Sequence, residues 1–309
     1  MPGRILAIAL NTYREAVRAR LLLGVFAIAL ATGAYSLVVA ALSLHQEERV
    51  VADLGAASIS LYAVIIAVVL GSTSLHRELE HKTIFPILTR PIRRWEYLVG
   101  KYVGALLTVG VFVAVDAGAV LSMTALEAGQ TTTRVGATVL AALGLLAVLM
   151  LRARHARVFV VIPWSLAFAA AAWMVAGPAL DERQLVAAAA TLSLCEVAIV
   201  AALATFFSSF SSPVLTAAFT AMVFVIGRSS DTLAHLPVKL FGPLAAGGRA
   251  LARVVPNLHV YVPARTLLLG HVANAPVWPY VAEAALHAVF YAAALLAAST
   301  LVFRKRDFA

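Results

Sequence analysis

Residues 55–75 read GAASISLYAVIIAVVLGSTSL, twenty-one positions without a charged side chain. A helix rises about 1.5 Å per residue, so such a run reaches roughly 30 Å, the thickness of a bilayer's hydrocarbon core. Comparable runs occupy 21–44, 102–126, 185–207 and 279–303. The stretch 213–227 is shorter, but Pro213 suits a first helical turn and FFSSFSSP reads as a tight hairpin before it, which makes it a sixth span. Two further runs, 135–151 and 158–177, flank the basic RARHAR and form either two full spans or a re-entrant pair. The expected fold is all-α, a polytopic membrane helix bundle of about eight spans.

Only 13% of the 309 residues are charged, against about a quarter in a soluble domain, and the mean hydropathy is +0.93. No stretch of soluble composition is long enough for a separate domain, so residues 1–309 read as one transmembrane unit and water-soluble chemistry is expected on another chain. Cys195 is the lone cysteine, which excludes an intrachain disulfide or a cysteine metal cluster. The net charge of +9 would suggest nucleic acid for a soluble protein; in a membrane protein its placement reports orientation instead.

With the N-terminus inside, sixteen of the 24 Lys and Arg fall on the cytoplasmic side and eight outside. Five of those eight lie in the long segment 228–278, where the rule is weak. Both termini are therefore expected in the cytoplasm, in a six-span count as in an eight-span one. The first twenty residues read as an amphipathic interfacial helix, and the apolar run after them continues to Leu44, past the core of a secretory signal, so it reads as an uncleaved first span.

The second span is followed by HRELEHKTIFPILTRPIRRWEYLVGK, residues 76–101. Leu75, Leu79, Ile84, Ile87 and Leu88 can face the membrane while Arg77, Glu78, Glu80, His81 and Lys82 face water, the pattern of a helix lying flat. Pro86 interrupts it, Pro91 suits a new start, and Trp95 and Tyr97 belong at headgroup level. A positive-inside loop would explain the cations. Glu78 and Glu80 add something else, because carboxylates mixed with cations give a docking helix partner choice.

The wording RELEHKTIFPILTRPIRRWEYLVGKYVG resembles the cytoplasmic signature of ABC-2 type transporter permeases, an acidic E-x-E and a Thr before P-I-x-R-x-x-Y-x-x-G-K. The likeness extends to RARLLL, EVAIVAALATFFSSFSSPVLTAAF, VVPNLHVYVP and FRKRDF, most of the chain. The resemblance implies a non-catalytic subunit of an exporter in a bacterial-type inner membrane, paired with a second permease copy and with two ABC ATPase subunits that hold the ATP and Mg. It implies that 76–97 is the coupling region, with Arg77, Glu78, Glu80, His81, Lys82 and Thr83 at the ATPase contact, and that Ser208, Ser209, Ser211 and Ser212 form a smaller cytoplasmic contact. The family core has six spans; the apolar pair at 135–178 is additional, with roles in the lateral wall, in docking an accessory protein, or none.

This chain carries no G-x-x-x-x-G-K-[ST] loop; GPLAAGGRA from Gly242 lacks the Lys and the hydroxyl residue. It also lacks G-x-S-x-G, H-E-x-x-H and C-x-x-C, so neither hydrolytic chemistry nor a cofactor is assigned to it. Asp116 and Glu196 stand mid-span, where an ionised carboxylate costs at least a few kcal/mol unless it faces a cavity or a partner. Both are substrate-pathway candidates, or acids hydrogen-bonded to a neighbouring helix, and they are the basis of an alternative as an ion-coupled transporter or channel. A membrane anchor without transport is a third class. His287 sits four residues after Glu283 and either pairs with it or lies near the outer interface. Segment 228–278 reads as short external amphipathic helices; its His235, His259 and His271, with Asp231, match no compact ligand spacing, so no metal is assigned. The apolar walls suit membrane lipids or other amphipathic substrates.

Overall fold

The computed structural model describes residues 2–80, 93–153, 156–236, 242–270 and 276–304, and among them there are twelve α-helices and one 3-10 turn, with no strand. They run α1 (Pro2–Arg18), α2 (Arg20–Ala40), α3 (Glu47–Glu80), α4 (Arg94–Glu127), α5 (Thr132–Arg152), α6 (Arg157–Val175), α7 (Leu180–Ser208), α8 (Pro213–Arg228), α9 (Ser230–Ala234), α10 (Pro243–Val254), α11 (Arg265–Leu268) and α12 (Val277–Arg304), the 3-10 turn being His259–Tyr261. Seven of these, α2 to α7 and α12, are long and apolar enough to cross a membrane. The two apolar runs around RARHAR are separate span-length helices, α5 and α6. With 16 residues α8 reaches only about 24 Å. It begins with Pro213 in its first turn, directly after the expected hairpin.

The centre of the bundle is α3, α4 and α7; α2, α5, α6 and α12 pack on them and leave their outer faces open. Small residues set how closely the central helices approach. A Cβ at Gly71 would lie 2.4 Å from the Ala204 Cβ, and one at Gly55 would lie 2.3 Å from Val120 Cγ1. These contacts put α3 against α7 at one end and against α4 at the other, with no room for a side chain. In a membrane such close packing replaces the hydrophobic driving force available in water.

The amphipathic α1 lies along α4, seated by Gly100 and Gly104, where an added Cβ would meet Ile8, Thr12 and the Ala9 carbonyl. The Tyr13 hydroxyl donates to the Val158 carbonyl at 3.1 Å and its ring stacks on Phe159, so α1 touches the start of α6 as well. Burial pushes the Tyr13 phenol up to about 12, which keeps it a neutral donor at physiological pH.

These contacts also fix which helix ends share a side. The starts of α4 and α6 lie with α1, and Ser299 near the end of α12 donates to the Thr205 carbonyl near the end of α7. At the opposite side Gln130 after α4 donates to the Val175 carbonyl that ends α6, and α11 reaches the beginnings of α3 and α7.

Three sequence expectations change. The run 213–227, expected as a sixth span, forms the short α8, so among the described residues seven helices rather than about eight are long and apolar enough to cross. The charged stretch was read as a separate flat helix from residue 76, but α3 runs unbroken through Arg77, Glu78 and Glu80, so its first residues are the last turn of a spanning helix. The segment after α8 is expected to form short external amphipathic helices at the interface. Short helices do form there, yet the chain around 256–261 turns inward, with Leu258 and Tyr261 buried. An apolar pattern does not distinguish burial against protein from burial in headgroups.

Candidate functional site

Glu196 lies mid-way along α7, a helix rich in alanine and otherwise uncharged after Arg183. Its side chain is fully buried, and lipid-depth burial of a carboxylate requires a partner. Two arrive from other helices. Ser60 of α3 donates its hydroxyl to Glu196 Oε2 at 3.2 Å, and Arg228, the last residue of α8, brings Nη1 to 3.3 Å from Oε1. Arg228 also donates to Ser60 Oγ at 3.3 and 3.4 Å, closing a three-way junction of α3, α7 and α8, and its guanidinium stacks over Phe224.

The shortness of α8 makes this possible. The helix stops at the depth of Glu196, and the inward turn caps it: the Leu258 amide donates to the Gly227 carbonyl at 3.0 Å. Gly227 is required there, because a Cβ would lie 2.7 Å from the Pro256 carbonyl. The same turn is pinned to α12. Tyr261 Oη bonds the Ala284 carbonyl at 3.2 Å and stands 2.8 Å from His287 Nδ1, while Tyr280 donates to the Val260 carbonyl. Burial, and next the neighbouring Cys195 and Glu196, raise the Tyr261 phenol above its ordinary range, which holds it in the donor form. His287 therefore pairs with Tyr261, and no ion pair with Glu283 forms among the described residues.

A second polar group ties the first turns of α3 and α7. Arg265 of α11 bridges Asp53 and Glu182, and Arg49 lies 3.7 Å from Asp53. Arg265→Ala is expected to weaken this tie by about 1.5–3 kcal/mol, the value of hydrogen bonds to charged groups. The check is faster labelling of a cysteine placed at position 268, the buried last residue of α11.

Asp116 lies on α4, 2% exposed, with Oδ2 lacking a hydrogen-bond partner among the described residues. It is not part of the junction. Among the described residues no hydrogen bond or ion pair joins Asp116 to Ser60, Glu196 or Arg228. At the other candidate contact, Ser208 and Ser209 are buried and donate back to the Thr205 and Phe206 carbonyls, and Ser211 bonds Phe207 and Thr216. Those hydroxyls build the turn; Phe210 and Ser212 are its exposed residues. His81, Lys82 and Thr83, and the side chains of Arg77, Glu78 and Glu80, lie outside the described residues. His235 sits against Asp231 at the exposed end of α9, and His271 is outside the described residues.

Arg228 was not singled out from the sequence. A charge at the end of an apolar run ordinarily marks the membrane surface, and the pertinent signal was the combination of a helix too short to span with an intramembrane acid. The family model described as ABC-2 family transporter protein matches residues 6–308. No curated protein matches the chain.

Proposed function

The chain belongs to the ABC-2 transporter family and is a multi-pass membrane permease component, and on that premise we propose that it is the pathway-forming half of an ATP-driven exporter. Two copies form the pathway in a bacterial inner membrane with their termini in the cytoplasm. Two ABC ATPase subunits bind and hydrolyse ATP with Mg, and their motion enters through the charged stretch that begins at residue 76.

The observation that carries this reading is the continuity of α3. One helix holds Ser60 in the Glu196–Arg228 junction and, twenty residues or ~30 Å further on, ends in the acidic pair Glu78 and Glu80. A displacement of its charged end is transmitted along a hydrogen-bonded rod to the junction, a rigid-body route from partner to pathway. Ser208–Ser212, at the end of α7, supplies a second contact on the same side through its exposed residues.

The test is reversal of both carboxylates, Glu78→Lys with Glu80→Lys. The double variant is expected to insert and fold as the parent does, and to lose at least ten-fold of the ATPase that co-purifies in mild detergent. Undiminished co-purification would refute the coupling role. The ion-coupled alternative has less support, because no hydrogen bond or ion pair joins Asp116 to Glu196 among the described residues; proton-driven flux by the purified chain alone would restore it.

A further inference from the structure

Between α4, α6 and α7 lies a groove of about 390 Å³, open to the side of the bundle and lined by Val103, Leu107 and Gly110, by Ile162 and Leu166, and by Leu194. Its hydroxyl, that of Ser165, donates to the Ile162 carbonyl at 2.8 Å, so the wall offers nothing polar. Ile162 and Leu166 stand about 8 and 14 Å along α6 from its start, which puts the groove in the leaflet on the α1 side. Gly110 widens it: no atom lies within 4 Å of where its Cβ would be.

The foot of the groove is basic. Tyr13 meets Val158 and Phe159 there, on the face of α6 that carries Ile162 and Leu166 one to two turns higher. Arg14 follows Tyr13 and Arg18 lies one turn on; Arg157 precedes Val158 and donates to the Met150 carbonyl at 3.1 Å, two residues from Arg152. All four arginines are exposed, and among the described residues none has a carboxylate partner. The acid closest in sequence, Glu15, is engaged by Asn11 and lies 3.8 Å from Lys101. An apolar channel at acyl depth above a cluster of cations at headgroup depth matches one kind of molecule at both ends.

We propose that this groove seats an acyl chain of an anionic bilayer phospholipid whose phosphate rests on Arg14, Arg18, Arg152 and Arg157. The bound lipid fastens α1 and the α5–α6 pair to α4. This site is separate from the Glu196–Arg228 junction and does not depend on what drives transport.

The full chain, purified in mild detergent, is titrated with phosphatidylglycerol and with phosphatidylcholine of the same acyl composition, and bound lipid is counted by native mass spectrometry. One phosphatidylglycerol is expected to bind in preference to phosphatidylcholine. A basic residue near a lipid surface contributes about five-fold in affinity, so Arg14→Gln with Arg157→Gln should weaken that binding on the order of twenty-fold. Gly110→Leu should abolish it by filling the groove, and because leucine favours helix more than glycine does, the thermal melt should hold. Equal retention of the two lipids, or full phosphatidylglycerol binding by Gly110→Leu, overturns the proposal.

Discussion

Arg228→Ala is expected to destabilise the folded chain by about 3 kcal/mol and to abolish transport. Removing one partner of a buried ion pair leaves the other charge uncompensated, at about 3–5 kcal/mol, and the partial exposure of Arg228 selects the lower end. Glu196 keeps the Ser60 hydroxyl, which replaces neither the charge nor the anchor that α8 provides. The measurement is reversible unfolding in mixed micelles beside substrate flux in vesicles with the partner ATPase. The double replacement Arg228→Met with Glu196→Leu separates the two roles. Without a charge to bury, it should recover the stability, since buried pairs are commonly no better than apolar residues of the same volume. It should not recover flux if the pair parts and re-forms during transport. Wild-type stability in Arg228→Ala would remove the junction from the account.

The second large effect concerns the seam between α3 and α7. Gly71→Ala sets two methyl carbons 2.4 Å apart, and the atoms behind them are helix backbone, so the helices must separate. Overpacking of this kind costs about 1–3 kcal/mol, more than the ~1 kcal/mol that alanine gains over glycine in a helix. Gly71→Leu should exceed that range and cause the chain to be degraded. Ala204→Gly supplies the compensating change: Gly71→Ala with Ala204→Gly moves the methyl across the seam and should restore melting to near the parent's value. The interaction energy from this cycle measures the contact directly. A double variant no better than Gly71→Ala would show that the close approach is not what limits stability.

Much of the architecture is legible in single residues. Long apolar runs broken by at most one charged side chain gave α2, α3, α4, α7 and α12, and the cations of RARHAR separated α5 from α6. The hairpin before α8 followed from four serines and a proline. Local spacing failed where a distant partner prevailed. His287 has Glu283 one turn away, yet bonds Tyr261 from the inward turn, because a buried phenol needs a partner more than two residues on an open helix face need each other. The docking of α1 was equally hidden. The same amphipathic pattern serves a headgroup layer and a protein groove, and the pair Gly100 and Gly104, four apart, is the signal that α4 has a surface made to receive a helix. The junction joins residues 60, 196 and 228, a separation that no periodicity encodes.

The seam at Gly71 has a consequence for biogenesis. Helix α3 leaves the ribosome well before α7 exists, and at roughly 5–20 residues per second it waits on the order of ten seconds for Ala204. During that interval its small-residue face is solvated by lipid or shielded by the insertion machinery, and a nascent chain arrested before α7 would carry a ready-made docking strip with nothing to occupy it. Quality control that senses unassembled intramembrane surface would therefore act on this protein late, after most of its helices have already entered the bilayer.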